Sequence, residues 1–273
     1  MINEITRKID ALPPLPQTLV NLKKFKEKSV QEPIELLKIL EKDPLILATL
    51  LKISNSAMFG FRNKVESAQN AIELMGINFT LSIAFGSAIK STLNTNLSAY
   101  NLTSDQFIDL ASMSTNLLNK WLSKEDVILR DKLLLPVFLQ DIGKFILSDL
   151  AEEKSISFDF YSKIKNDFEK IDDLELEYFN ITTTNVSASM FEQWKLDSNL
   201  ISIIENISNL ENCPKEYLKE AQVLSIIRIL TNCIDPLSKK SIEMALSKAK
   251  EYKFDTKYLQ EAISIMEDRL LDD

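Results

Sequence analysis

The sequence predicts an all-α protein, and three observations lead to that prediction. Only four glycines occur in 273 residues, helix start and stop signals recur along the chain, and apolar residues repeat at helical spacing. Sheet proteins need tight turns that often require a positive φ, so the low glycine count disfavours all-β and α/β folds. It also leaves no glycine-rich phosphate loop or dinucleotide fingerprint.

The first part of the chain shows helix boundaries clearly. A proline-rich connector at 12–16 is followed by a helix that opens at Pro33, because proline suits the first helical turn. Asp43 precedes Pro44 and should cap a helix reaching Ile53 that is apolar on nearly all sides and therefore buried. Two further helices are predicted, from about 67 to 75 and from about 78 to 90.

The polar stretch from Leu93 to Thr103 is predicted to separate two lobes. The predicted boundaries are 1–93 for the N-terminal lobe, 94–103 for a hinge and 104–273 for the second lobe. Thr103 and Gln106 have capping-box spacing and should open a helix that ends near Trp121. The helices predicted after it lie at about 132–149, 158–170, 184–194, 197–208, 214–232, 238–251 and 255–270.

Charge and cysteine content limit the partners and the compartment. The net charge is −8, which argues against nucleic acid as a partner because nucleic-acid binders usually carry a basic face. Cys213 and Cys233 are expected to be reduced thiols. The N-terminus lacks the pattern of a signal peptide, and no apolar stretch is long enough to cross a bilayer. We therefore expect a cytoplasmic protein without membrane insertion.

Two groups of motifs resemble the bacterial HDOD family. The first resembles the N-terminal half of that family: Leu12-Pro13-Pro14-Leu15-Pro16, Asp43-Pro44-Leu45, Ser54-Asn55-Ser56-Ala57-Met58-Phe59-Gly60 and Ala71-Ile72-Glu73-Leu74-Met75-Gly76. The second resembles the half related to HD-type phosphohydrolases: Phe138-Leu139-Gln140-Asp141-Ile142-Gly143-Lys144 and Phe191-Glu192-Gln193-Trp194-Lys195-Leu196. The resemblance covers roughly residues 10–210. It implies an all-helical signalling module, usually regarded as non-catalytic and often fused to receiver or output domains.

The resemblance also implies that the second lobe is a degenerate version of the HD-type lobe. HD-type phosphohydrolases hold divalent metals with histidine and aspartate, and this chain contains no histidine. Gln140-Asp141 stands where His-Asp is expected, and Thr183 lies near another histidine position. Further histidine positions fall near Ala111 and 206–208. We therefore predict vestigial positions at Gln140, Asp141 and Thr183, with no catalytic residue, no metal and no cofactor.

Asp141 is predicted to be structural, either paired with Lys144 or bonded to backbone groups. The acidic pairs Glu152-Glu153 and Asp172-Asp173 are predicted to be solvated charge. The favoured function is a non-catalytic adaptor that recognises a protein or a small signalling ligand. Two alternatives stay open: a phosphodiesterase with an unorthodox metal shell, and a nucleic-acid-linked regulator.

The loop at 54–62 is the candidate interaction surface. Met58, Phe59 and Phe61 are large apolar residues near Gly60, and such side chains are common at the centre of interfaces. One interpretation exposes them as partner anchors. The other buries them at the base of the first lobe, because apolar side chains are normally inside.

Overall fold

A computed structural model describes residues 1–93 and 96–270. It confirms the all-α prediction, because the described residues form helices and turns with one isolated backbone bridge, between Leu97 and Leu102, and no strand. No helix among the described residues is long and apolar enough to cross a membrane.

Six helices precede the predicted hinge: α1 (Ile2–Asp10), α2 (Gln17–Lys26), α3 (Pro33–Leu40), α4 (Pro44–Ser54), α5 (Ala68–Met75) and α6 (Ile77–Thr92). Those that follow are α7 (Ser104–Glu125), α8 (Val127–Leu139), α9 (Lys144–Glu153), α10 (Ser157–Asn166), α11 (Ile171–Phe179), α12 (Thr183–Gln193), α13 (Ser198–Glu205), α14 (Lys215–Leu230), α15 (Lys239–Glu251) and α16 (Thr256–Leu270). Short 3-10 helices lie at Ala57–Phe59, Ser98–Tyr100, Phe168–Lys170 and Leu210–Asn212.

The capping signals act as the sequence predicts. The Asp43 side chain accepts a hydrogen bond from the Ile46 amide at 3.2 Å and starts α4. At the start of α7, the Gln106 amide donates to the Thr103 hydroxyl at 3.1 Å, and the Thr103 amide donates to the Gln106 side chain at 2.8 Å. This reciprocal pair is a complete capping box.

The two predicted lobes share one continuous hydrophobic core. Helix α6 is buried along most of its length and packs against α8, while α7 packs against both α8 and α16. Helix α1 lies in the first predicted lobe by sequence but packs on α9 and α12, where Lys8 pairs with Asp149 at 2.5 Å. The division at 94–103 therefore stays a prediction about sequence organisation.

The predicted hinge is partly an element of the core. Residues 94 and 95 lie outside the described residues, but Leu97, Ala99 and Tyr100 are fully buried. The 3-10 helix that contains two of them packs against α9 and α10. Residues 97–100 therefore fill part of the interior beside α9 and α10.

The single helix predicted at about 132–149 is wrong. Helix α8 ends at Leu139 and α9 begins at Lys144, with a tight turn between them. The Gly143 amide donates to the Ser187 hydroxyl at 2.8 Å, and that hydroxyl donates to the Gln140 carbonyl at 2.9 Å. These bonds to α12 replace helical bonds that a continuous helix would make, which is a tertiary effect that local sequence does not encode.

The interpretation of Met58 and Phe59 as exposed anchors is corrected by their burial. They are only 9% and 7% exposed, and the Phe59 ring packs edge-on against Phe79 with centroids 5.3 Å apart. Phe61 is partly buried and stacks on Phe59 at 5.7 Å. Burying these apolar side chains against α6 stabilises the fold, so they are not available as exposed anchors for a partner. Whether the loop contacts a partner through its other groups stays a prediction.

The same loop is tied to distant helices through one carbonyl oxygen. The Met58 carbonyl accepts from the Asn116 side chain of α7 at 2.9 Å and from the Arg269 guanidinium of α16 at 2.6 Å. Gly60 follows in the left-handed conformation, with φ of 59°, which favours glycine. The loop is therefore a fixed joint between the N-terminal helices and the C-terminal helix.

Candidate functional site

The site begins at the turn between α8 and α9, which the sequence marks with Gln140-Asp141. Helix α12 approaches this turn so closely that a Cβ atom on Gly143 would lie 2.3 Å from the Thr183 carbonyl oxygen. Gly143 has an ordinary helical φ of −61°, so its role is to allow close approach. The resulting contact fixes the position from which Asp141 and Lys144 project.

Asp141 is paired with two cations of the same chain. Its Oδ1 atom accepts from the Lys144 ammonium, as the sequence predicts, and lies 3.4 Å from Nε of Arg228 on α14. Burial raises the pKa of Asp141, but the charges of Lys144 and Arg228 outweigh that effect and leave the pKa below its usual value. Asp141 is therefore held ionised by protein cations.

Arg228 also joins Asp172 to this group. Its Nη1 atom lies 3.1 and 3.2 Å from the two carboxylate oxygens of Asp172, and 3.4 Å from the Ser208 hydroxyl. Burial lowers the pKa of Arg228, but Asp172 and Asp141 reverse this and raise it overall. The prediction that Asp172 is solvated loop charge is wrong, because it lies in the first turn of α11 and faces a buried guanidinium.

A fully buried carboxylate, Glu175, lies behind this pair. It accepts hydrogen bonds from the Tyr100 hydroxyl at 2.9 Å, the Thr183 hydroxyl at 2.6 Å and the Thr183 amide at 2.5 Å. Burial raises the pKa of Glu175. Lys144 connects the ion pairs of Asp141 with the hydrogen bonds around Glu175, because its ammonium lies over the Tyr100 ring, 5.3 Å from the centroid.

Tyr100→Phe is expected to lower the free energy of unfolding by about 1–2 kcal/mol, because it removes a buried donor from the Glu175 carboxylate. Urea denaturation of the purified variant measures this. Tyr161→Phe is the control, since the one side-chain bond of the Tyr161 hydroxyl within 1–93 and 96–270 is an exposed one, accepted from Asn101 at 3.3 Å. Equal effects of the two substitutions would contradict the role given to Tyr100.

The metal site that the resemblance implies does not fit these residues. The Oε1 atom of Gln140 is buried and has no hydrogen-bond partner among the described residues, and a neutral amide is a poor ligand for a transition metal. Ammonium and guanidinium groups already lie on Asp141, where they would repel a divalent cation. Throughout 1–93 and 96–270, no three histidine, cysteine, aspartate or glutamate side chains cluster in a way that could hold a metal ion.

Thr183 and Ser208, at two of the positions matched to histidines, belong to hydrogen-bonded groups of side chains, whereas Ala111 has no side chain that can form a hydrogen bond. Thr183 is fully buried and bonds to Glu175, and the neighbouring Thr184 hydroxyl lies 2.9 Å from that of Ser208. Ala111 is buried and, together with Asp141 and Lys144, lines a small gap beside the turn. Asp141 and Thr183 thus belong to one connected group of side chains through Lys144, Tyr100 and Glu175, and Gln140 joins the same turn through the bond of its backbone carbonyl to Ser187.

A cleft of about 630 Å³ opens above this network, and we call it the cleft hereafter. Asp141, Lys144, Asp172 and Arg228 form its floor. Its walls come from the segments around α11, α13, α14 and α15. They include the neutral residues Phe168, Leu218, Gln222, Ser225, Asn232 and Tyr252 and the charged residues Glu169, Glu211, Lys248 and Glu251. A concave site of this size with a few convergent polar groups is typical of small-molecule binding sites.

Sequence reasoning identified Asp141, Lys144 and Thr183 but missed Arg228, Glu175 and Tyr100. Arg228 lies in the apolar second half of α14, and a charge in such a position is rarely buried without a partner. That signal could have marked it as a member of an ionic group. Nothing local to Tyr100 or Glu175 indicates that they meet, because their contact depends on the path of residues 96–102.

Comparison with known proteins gives a consistent assignment. A Campylobacter jejuni protein described as a virulence factor is 24% identical, with a TM-score of 0.58 over 99% of this chain and 98% of its own. A Geobacter sulfurreducens HDOD domain protein of unknown function is 15% identical, with a TM-score of 0.62 over 98% of this chain and 96% of its own. These similarities show the shared fold.

A Shewanella amazonensis protein with a provisional phosphohydrolase assignment is 16% identical, with a TM-score of 0.68 and 98% coverage of both chains. A Treponema pallidum protein of uncharacterised function is 20% identical over 220 residues, and the match spans 78% of this chain but 40% of that relative. The HDOD domain family matches residues 12–210. Since this match extends over well more than half of the sequence, the chain belongs to the HDOD domain family.

Proposed function

We propose that this HDOD chain is a non-catalytic regulatory module of signal transduction, which acts by recognising a ligand or a protein. The observation that carries the proposal is the pairing of Asp141 with Lys144 and Arg228. Both cations lie against Oδ1 of Asp141, so their positive charge would repel a divalent cation from the remaining carboxylate oxygen. This repulsion opposes metal binding at the aspartate in the HD position.

Two recognition surfaces are compatible with this role. The cleft could take a small ligand, while a groove of about 780 Å³ beside the 54–66 loop could take part of a protein. The groove is lined by polar and charged groups such as Asn55, Ser56, Lys64 and Glu66, and by the apolar side chains of Leu51, Phe61 and Val65. A protein partner would therefore meet hydrogen-bonding groups and Phe61 there, and not the buried side chains of Met58 and Phe59.

A phosphodiesterase remains the second candidate, because a neighbour in structure carries a provisional phosphohydrolase assignment. In addition, Asp172 and Asp141 offer two carboxylates to the cleft. To activate water, these two aspartates would need a metal ion between them. Arg228 instead forms ion pairs with both.

Metal content and hydrolysis together test the proposal. We expect protein purified without chelator to contain far less than one equivalent of iron, manganese, zinc or nickel by elemental analysis. We also expect no cleavage of bis-p-nitrophenyl phosphate above the buffer rate when these metals are added. Asp141→Asn is the control and should show the same background. Stoichiometric metal, or hydrolysis that Asp141→Asn abolishes, would overturn the proposal.

A further inference from the structure

The floor of the cleft has hydrogen-bonding capacity that the protein leaves unused. Arg228 directs Nε to Asp141 and Nη1 to Asp172 and Ser208, while Nη2 makes no hydrogen bond within the described part of the chain. Arg228 nevertheless lines the cleft and is only 10% exposed. A guanidinium edge in that position is ready to donate to an oxygen of a bound molecule.

An acceptor lies beside this donor. The contacts of Asp141 with Lys144 and Arg228 both fall on Oδ1, and Oδ2 accepts no hydrogen bond from any residue that the structure describes. The Asp141 side chain is 23% exposed and lines the cleft. The floor therefore presents a cationic donor and an anionic acceptor as neighbours.

The charges of the floor decide which ligands fit. Lys144 and Arg228 balance Asp141 and Asp172, so these four side chains sum to zero. The other charged residues that line the cleft lie outside the floor: Lys248 pairs with Glu251, Glu169 pairs with Lys240, and Glu211 is exposed. A ligand with one net charge would leave that charge without a counter-ion in a partly dehydrated site, which is costly. A ligand with one positive and one negative group adds no net charge and can satisfy both unused positions.

The walls suit the rest of such a molecule. Phe168, Leu218 and Tyr252 supply apolar surface, and Gln222, Ser225 and Asn232 supply neutral polar groups. A volume of about 630 Å³ accommodates a small organic molecule with a side chain of its own.

We propose that the cleft binds a free α-amino acid. Its carboxylate accepts from Arg228 Nη2, its ammonium donates to Asp141 Oδ2, and its side chain lies between the apolar walls. This inference rests on the proposed function, because it requires that the floor holds a ligand instead of a catalytic metal.

Calorimetric titration of the full chain with each of the twenty amino acids tests the inference. We expect at least one to bind, and to raise the melting temperature as its concentration increases. The matched amine and carboxylic acid that each lack one charged group of the best binder should bind at least about tenfold more weakly, since each loses a charged hydrogen bond.

Two variants on α14 show where binding occurs. Ser225→Leu adds bulk inside the cleft, keeps every charged group of the floor, and should weaken binding at least about tenfold. Glu216→Leu adds the same side chain at an exposed position of that helix outside the cleft and should leave binding unchanged. Circular dichroism confirms that both variants fold.

The inference is overturned if no amino acid binds, if the singly charged analogues bind as tightly, or if Ser225→Leu binds like the wild type. Failure of the proposed function is a different result, namely stoichiometric metal with hydrolysis that depends on Asp141. A protein that neither hydrolyses phosphodiesters nor binds amino acids would refute this inference alone.

Discussion

Gly143→Ala is expected to destabilise the protein by about 3 kcal/mol or more, the upper range for overpacking a filled core. The new methyl group would lie 2.3 Å from the Thr183 carbonyl oxygen and 2.9 Å from the Ser187 amide nitrogen. Both atoms belong to backbone that a hydrogen-bonded helix holds in place, so no side-chain rotation relieves the clash. Helices α9 and α12 would have to separate, which breaks the bonds through Ser187.

Differential scanning calorimetry measures this effect, and we expect the melting temperature to fall by about 6–10 °C. Glu192→Ala is the control, because it introduces the same residue at an exposed position of α12 and should change stability by less than about 0.5 kcal/mol. An unchanged melting temperature for Gly143→Ala would show that the two helices can separate at little cost, and that the turn is not the fixed point we describe.

Arg228→Met is the second substitution with a large expected effect, a loss of about 3–5 kcal/mol of stability. Arg228 is 10% exposed and faces two carboxylates, at 3.4 Å from Asp141 and 3.1 Å from Asp172. Removing the guanidinium leaves those carboxylates near each other with one fewer cation. The loss of stability comes mainly from the unpaired carboxylates of Asp141 and Asp172, since methionine retains much of the side-chain volume.

A double-mutant cycle distinguishes the cost of leaving the carboxylates unpaired from the cost of lost packing. Arg228→Met combined with Asp172→Asn should lose less stability than the sum of the single variants, by about 1 kcal/mol or more. As an exposed reference, Lys239→Gln breaks a pair with Glu243 whose side chains are 91% and 68% exposed, and should cost less than about 0.5 kcal/mol. Strict additivity in urea titrations would indicate that Arg228 acts through packing alone.

The fold follows from signals that act over a few residues. Asp43, Thr103 and Pro33 mark helix starts because their effects depend on the adjacent turn alone, and the structure begins α4, α7 and α3 where these residues predict. The break within the predicted helix at 132–149 was missed because its cause, the contact of Gly143 with α12, joins segments about forty residues apart.

The site was predictable only in part, for the same reason. Asp141 and Lys144 are one helical turn apart, so their pairing follows from spacing. Arg228 is remote in sequence from both aspartates it contacts, and only the packing of α14 against α8 and α13 brings it there. Likewise, Phe59 is an interface candidate by composition, and its burial depends on where α6 places Phe79.

The shared Met58 carbonyl has a mechanical consequence for joined domains. Because Arg269 holds it from α16 and Asn116 holds it from α7, a force on the end of α16 acts directly on the 57–60 turn near the opposite end of the sequence. A domain or tag attached after α16 would therefore be coupled to the groove beside that turn through the hydrogen bond between Arg269 and the Met58 carbonyl. Reporter fusions at that end are expected to disturb the groove, so a label on an exposed helix face remote from α16 is the safer choice.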